Sequence, residues 1–264
     1  MLRSLYSGIS GMKNFQTKLD VVANNISNVN TSGFKKSRVT FKDIVSQQLS
    51  GASASTANRG SVNGMQVGLG STVGSIDTIH TNAAPSTTGR QLDIAITGDG
   101  YFRVGTGNEI SYTRYGNFKL SDEGDLITAD GLFVLTADNQ KINIPADEAK
   151  SFAIAPDGTV TYVDQNNNSV KAGQISLATF SNPDGLMKMG DNLYSESLSS
   201  GAAQIVAPGE GSSGKLQTSA LEMSNVDLSE EFSEMIIAQR GFQSNAKIIT
   251  TSDEILQELV NLKR

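Results

Sequence analysis

The chain has no cysteine, no tryptophan and one histidine in 264 residues. Without cysteine there is no disulfide framework and no thiolate to serve as nucleophile or metal ligand. That fits a cytosolic protein, and equally an exported one that avoids disulfides. A Ser-His-Asp arrangement would have to be built on His80, and nothing near it resembles a nucleophile elbow. Apolar residues make up 38% of the chain and aromatics 6%, and no run approaches the roughly 20 residues that span a bilayer. The first residues also lack the charged-then-apolar pattern of a cleaved signal peptide. Positive charge is scarce as well. Lys and Arg number 21 against 27 Asp and Glu, and no basic patch carries interleaved aromatics, which argues against a nucleic-acid partner.

Phosphate and metal motifs are missing in the same way. Gly68-Leu69-Gly70 and Gly98-Asp99-Gly100 do not complete a dinucleotide fingerprint, because Val73 and Arg103 stand where the third glycine belongs. Asp122, Glu123, Asp125 and Asp130 lack the alternate spacing of a calcium loop and read as acidic turns. The expectation is no catalytic set, no cofactor and no metal. Proline is sparse too: Pro85, Pro145, Pro156, Pro183 and Pro208 all lie in the middle, so the two ends are free of the strongest helix breaker.

What is present at those ends is a seven-residue repeat. Leu5, Met12, Leu19 and Ile26 recur every seven positions, with Phe15, Val22 and Val29 three residues after the last three. Leu228, Met235, Phe242, Ile249 and Leu256 repeat likewise, with Leu259 three residues on. This is the a/d stripe of a coiled coil, and these residues are the expected subunit-assembly positions. Seven basic residues precede residue 46 against Asp20 and Asp43, whereas residues 222–264 hold eight acidic and four basic ones, so the two ends attract. Asp227, with Glu230 and Glu231 in the next turn, marks a helix start, and Lys263 and Arg264 suit its other end. Gly8 and Gly11 weaken the first helix, and both ends are expected to order only on assembly.

The middle of the chain changes character. Residues 46–75 hold six glycines, no aromatic and one charge, Arg59, and read as a linker or an arm ordered by neighbours. A similar stretch follows residue 198. Between them short apolar runs alternate with Asp99-Gly100, Asp130-Gly131, Asp157-Gly158 and Asp184-Gly185, the turn dipeptides of an antiparallel β domain. The expected organisation is α+β and multidomain. Residues 1–30 and 225–264 form one discontinuous helical domain, 31–75 a connecting arm, 76–198 a β domain and 199–224 a return linker.

Four matches, the last in two parts, then give a resemblance. Residues 19–35, LDVVANNISNVNTSGFK, resemble the N-terminal signature of the bacterial flagellar rod and hook proteins. Residues 93–102, DIAITGDGYF, and 112–118, YTRYGNF, look like further family motifs, as do SNVDL at 224–228 and MIIAQR at 235–240. The family pattern singles out Asn24, Asn25, Asn28, Gly33, Phe34, Gly98, Gly100, Phe102, Asn225, Gln239 and Arg240. The resemblance implies an axial structural subunit that polymerises into a helical tube, with other axial proteins above and below it. It also implies passage through the flagellar type III export apparatus without signal cleavage, growth under a cap or scaffold protein, and residence in the hook or basal body outside the cytoplasmic membrane. The two ends look most like short hook proteins, a bending joint. The short length and the arm favour the distal rod, a stiff shaft. Hook is the first expectation and distal rod the alternative, with an enzyme or binding module carrying helical tails a more distant one.

Overall fold

The computed structural model describes residues 2–52, 54, 60, 61, 63–106, 109–145 and 149–262. Arg59, Lys263 and Arg264 lie outside the described residues. The chain divides into two compact units, one made of residues 1–27, 37–78 and 227–264, the other of 28–36 and 79–226.

The first unit is built on two helices, α1 (Leu2–Ser27) and α2 (Leu228–Leu262). Asp227 starts α2 as expected, its carboxylate accepting the Ser229 amide at 2.8 Å and the Glu230 amide at 3.4 Å. The helices pack on each other within one chain, so each end has a partner before any assembly, contrary to expectation. The reason lies at two glycines. A Cβ on Gly241 would stand 2.5 Å from the Phe15 ring, and one on Gly11 would stand 2.8 Å from the Asn245 carboxamide. Residues that cost helix propensity thus permit backbone approach. The charge asymmetry is realised too, in an ion pair between Lys18 and Glu234.

The predicted arm is more ordered than its composition implies. β1 (Ser37–Asp43) pairs antiparallel with β4 (Ser71–Thr78), and β2 (Ser46–Ser50) with β3 (Met65–Gly68). The first ladder lies against α1: Asn14 donates to Ser71 Oγ at 2.8 Å, and the Phe15 and Phe41 rings are 6.2 Å apart. The helix thereby covers residues that could not bury each other. The tip of the arm, residues 53, 55–59 and 62, is outside the described set.

The second unit is antiparallel β. Its main sheet runs Met187–Gly190, Leu193–Ser195, Glu109–Thr113, Tyr101–Thr106, Phe133–Val134, Leu126–Thr128 and Phe118–Leu120, with Leu177–Thr179 also on Tyr101–Thr106. A three-stranded sheet (Ala149–Ile154, Thr159–Asp164, Ser169–Gln174) and two short ladders complete it. Ile94, Phe102, Val104, Phe118, Leu126 and Leu177 lie in one core, with Phe102 and Phe118 edge to face at 5.0 Å. The expected return linker is corrected here. Residues 199–224 contain the strands Gln204–Val206, Lys215–Thr218 and Ala220–Glu222, whose Leu216 and Ala220 are buried in this unit. A few well-placed apolar residues suffice when a neighbouring strand supplies the ladder.

Candidate functional site

The residues expected to mediate assembly separate into two sets. In the first unit Val22 is buried and Leu5, Met12, Phe15, Leu19, Ile26, Met235, Phe242, Ile249 and Leu256 are half-buried, several of them along the α1–α2 contact. Ile249 packs beside Gly8, where an added Cβ would lie 3.4 Å from its side chain. Leu228 and Leu259 are exposed instead, and Val29 lies in the turn after α1 and belongs to the second unit. Their spacing matched the repeat, but α1 ends at Ser27 and an undistorted helix drifts about 20° per heptad, carrying terminal positions off the contact.

Spacing alone also missed the outer face of α2. Ile237, Ile248, Ile255 and Leu259 are exposed and fall on one flank of the contact at about 100° per residue, while Phe232 and Ile236 are exposed on the other flank. Gln239 and Arg240 are exposed as well.

The asparagines at the end of α1 have a different use. Asn25 is buried; its carboxamide accepts the Ser37 amide at 3.0 Å and donates to the Ser37 carbonyl at 2.9 Å and to Glu231 at 3.1 Å. Glu231 therefore turns inward to Asn25. Asn28 accepts from the Thr31 hydroxyl at 3.1 Å, and Asn24 is an exposed residue of α1.

The remaining signature residues meet in the second unit, around charges that the sequence reading left out. Lys35, Glu222 and Arg114 are all buried. Glu222 Oε1 accepts Lys35 Nζ at 2.6 Å and the Ala83 amide at 3.1 Å, while Oε2 faces an Arg114 nitrogen at 3.4 Å. Lys35 also donates to the Thr81 carbonyl at 2.7 Å, and Arg114 to the Gly98 carbonyl at 2.8 Å and to Asn82. Burial holds the Lys35 ammonium below the usual lysine range, against the pull of Glu222. Gly33, at φ +72, lies so near the Arg114 carbonyl that a Cβ would be 3.0 Å away, and its amide donates to the Glu222 carbonyl at 2.8 Å. Phe34 is buried, with Lys188 Nζ 5.1 Å from its ring centre. Asn225 accepts the Lys36 amide at 2.7 Å and donates to the Ile79 carbonyl at 2.8 Å and Thr81 Oγ1 at 3.0 Å. Gly98 and Gly100, both at φ +130, hold the turn into the strand that carries Phe102.

A signal for this cluster was available. Ala220, Leu221 and Glu222 alternate buried, half-buried and buried, so a strand reading with period two places Glu222 on the inner side. His80 joins the same region, its Nδ1 2.6 Å from the Tyr101 hydroxyl and its ring 5.5 Å from Tyr194. Among the described residues no group of His, Asp or Glu is disposed to hold a metal.

Residues 5–35 match the family described as flagella basal body rod protein, residues 95–162 the flagellar hook protein FlgE/F/G D1 domain, and residues 217–262 the flagellar basal body rod FlgEFG protein C-terminal family. The flagellar basal-body rod protein FlgG of Bacillus subtilis is 63% identical over the whole of both chains. The chain belongs to the flagellar rod and hook family. The FlgG protein of Caulobacter vibrioides is 38% identical over 99% of this chain and all of the relative. The flagellar hook protein FlgE of Borreliella burgdorferi is 30% identical over all of both chains, in an alignment of 441 positions. Members of this family are structural subunits of the axial part of the flagellum, and the two-unit α+β organisation described above is the fold in which this member is built.

Proposed function

We propose that this protein is the distal rod subunit, a component of the drive shaft that carries motor torque through the basal body. Identity of 63% over the full length of a rod protein carries the reading. The alignment with a hook protein instead runs to 441 positions, far beyond the 264 residues here. The two exposed flanks of α2 support a homopolymer in which each helix pair touches neighbours on either side, since heterologous contacts that do not close generate a helical tube. The role is structural, with other axial proteins above and below, and the subunit reaches its place through the flagellar export apparatus and grows beneath a cap or scaffold protein. Among the described residues no helix is long and apolar enough to cross a membrane.

Immunogold labelling of isolated basal bodies with hooks attached tests the assignment. Label on the shaft below the hook is the expected result, and label along the hook would make the subunit the joint.

A further inference from the structure

Phe15 meets Gly241 and Gly11 meets Asn245, so α1 and α2 run antiparallel, one residue answering one. Counted on in that register, Leu2 at the start of α1 falls opposite Glu254. Residues 255–262 of α2 therefore run about 12 Å past it. Five turns of helix take about 18 residues, so Leu256, Leu259 and Val260 repeat the angular positions of Ala238, Gly241 and Phe242. Ala238 is fully buried and Gly241 touches Phe15, whereas Leu259 is 49% exposed and Val260 65%. The face is the same; α1 has run out. A second bare patch lies on α1 itself, where Tyr6 is 68% exposed and Ile9 is exposed too. Tyr6 stands nine residues before Phe15, about two and a half turns, and so on the side of α1 turned away from α2. The chain's own α2 cannot cover it.

We propose that the bare end of α2 docks on the outer face of α1 in a second copy, seating Leu256, Leu259 and Val260 on Tyr6 and Ile9. A second copy as the occupant rests on the homopolymer reading; charge selects the place on it. The only charges within 253–262 are Asp253, Glu254 and Glu258, all exposed, with Lys263 and Arg264 following outside the described residues. The only charges within 2–13 are Arg3 and Lys13, also exposed. An apolar stripe edged with carboxylates thus meets an apolar patch edged with cations, and such edges choose partner and orientation. The other bare ridge of the helical unit, Phe232 and Ile236, suits the overhang less well. Asp227 and Glu230 stand in that stretch against Arg240, so it offers no net positive charge. Docking of this kind is heterologous, with the overhang of each copy on the α1 of the next, and it leaves every copy with one end still open.

The full-length chain has no cysteine, so introduced thiols report one contact at a time. Polymer grown from mixed copies, half carrying Leu259→Cys and half Tyr6→Cys or Ile9→Cys, should give disulfide-linked dimers on oxidation. Polymer mixing Leu259→Cys with Phe232→Cys should give none. Charge reversal supplies a second measurement that needs no thiol. Glu254→Lys with Glu258→Lys should raise the concentration needed for polymer about tenfold at low salt, with helical content by circular dichroism unchanged. Adding Arg3→Glu and Lys13→Glu to the same chain should bring that concentration back toward wild type. Polymer in which neither position 6 nor position 9 links to 259 overturns the proposal, and so does a link from 232 instead. A fourfold reversal that polymerises no better than the acidic pair alone overturns it as well. Wild type that fails to polymerise removes the homopolymer reading and the docking together; wild type that polymerises without the link removes the docking alone.

Discussion

His80 links the second unit to pH. Burial, followed by the positive charges of Lys35, Lys188 and Arg114, lowers its pKa from 6.5 to about 4. The unfolded chain takes up this proton near pH 6.5, while the folded one stays neutral down to about pH 4. The unfolded state therefore binds more protons between these values. Stability from this group is complete above pH 6.5 and lost as pH falls through the window, by up to about 3 kcal/mol. Melting of wild type and His80→Gln at stepped pH should show the wild type losing more between pH 6.5 and 4; equal slopes would remove the account. Gly241 makes a residue-level prediction in the first unit. Alanine is the better helix former by about 1 kcal/mol. Against that, its Cβ meets the Phe15 ring at 2.5 Å, and overpacking costs about 1–3 kcal/mol. Gly241→Ala should lower the midpoint of the helical unit, and a raised midpoint would mean that Phe15 moves aside freely.

The element most in need of dissection is α2, which offers the same residue types to two different tasks. Ile249 packs on α1 within the chain, whereas Ile255 lies on an exposed flank. Ile249→Asp should disrupt the helical unit of the monomer and abolish polymer, because it places an unpaired charge against an apolar contact. Ile255→Glu should leave the monomer's helical content and midpoint unchanged and still block assembly, as read by circular dichroism and sedimentation. If Ile255→Glu polymerises normally, the exposed flank is not an interface. This division shows where the sequence was legible. Apolar period announced both helices, Asp227 announced the start of α2, and Asp130-Gly131 and Asp157-Gly158 announced two hairpins, while Asp99-Gly100 and Asp184-Gly185 stand between strands that do not pair. Period could not separate a contact inside the chain from one between chains, since Ile249 and Ile255 are chemically alike and differ only in angle around the axis. Nor did composition announce the strands beyond residue 198 or the buried Lys35–Glu222–Arg114 cluster. Short strands set in a glycine-rich stretch depend on partners distant in sequence, and a buried Lys or Glu looks like a surface one until its ladder is known.

At the scale of the whole molecule, the arm is the place where stiffness can be altered without touching either core. β2 and β3 expose Leu49, Met65 and Val67 beside the helical unit's own ladder, and these are the larger side chains available to neighbours. Deleting residues 51–61 should give a polymer that still forms but is more curved; unchanged curvature and stiffness in electron micrographs would rule the arm out as a brace. The helical unit is also assembled from the opposite extremes of the chain: α1 is made first, α2 last, and residues 28–226 come between. At about 5–20 residues per second the ribosome needs roughly 10–40 s to cover that distance. During that interval the β unit is synthesised almost entirely, while the apolar stripe of α1 has no mate. Translation thus leaves the opening segment within reach of any holding protein until the closing helix emerges, and a message cut short yields a subunit that can never shut.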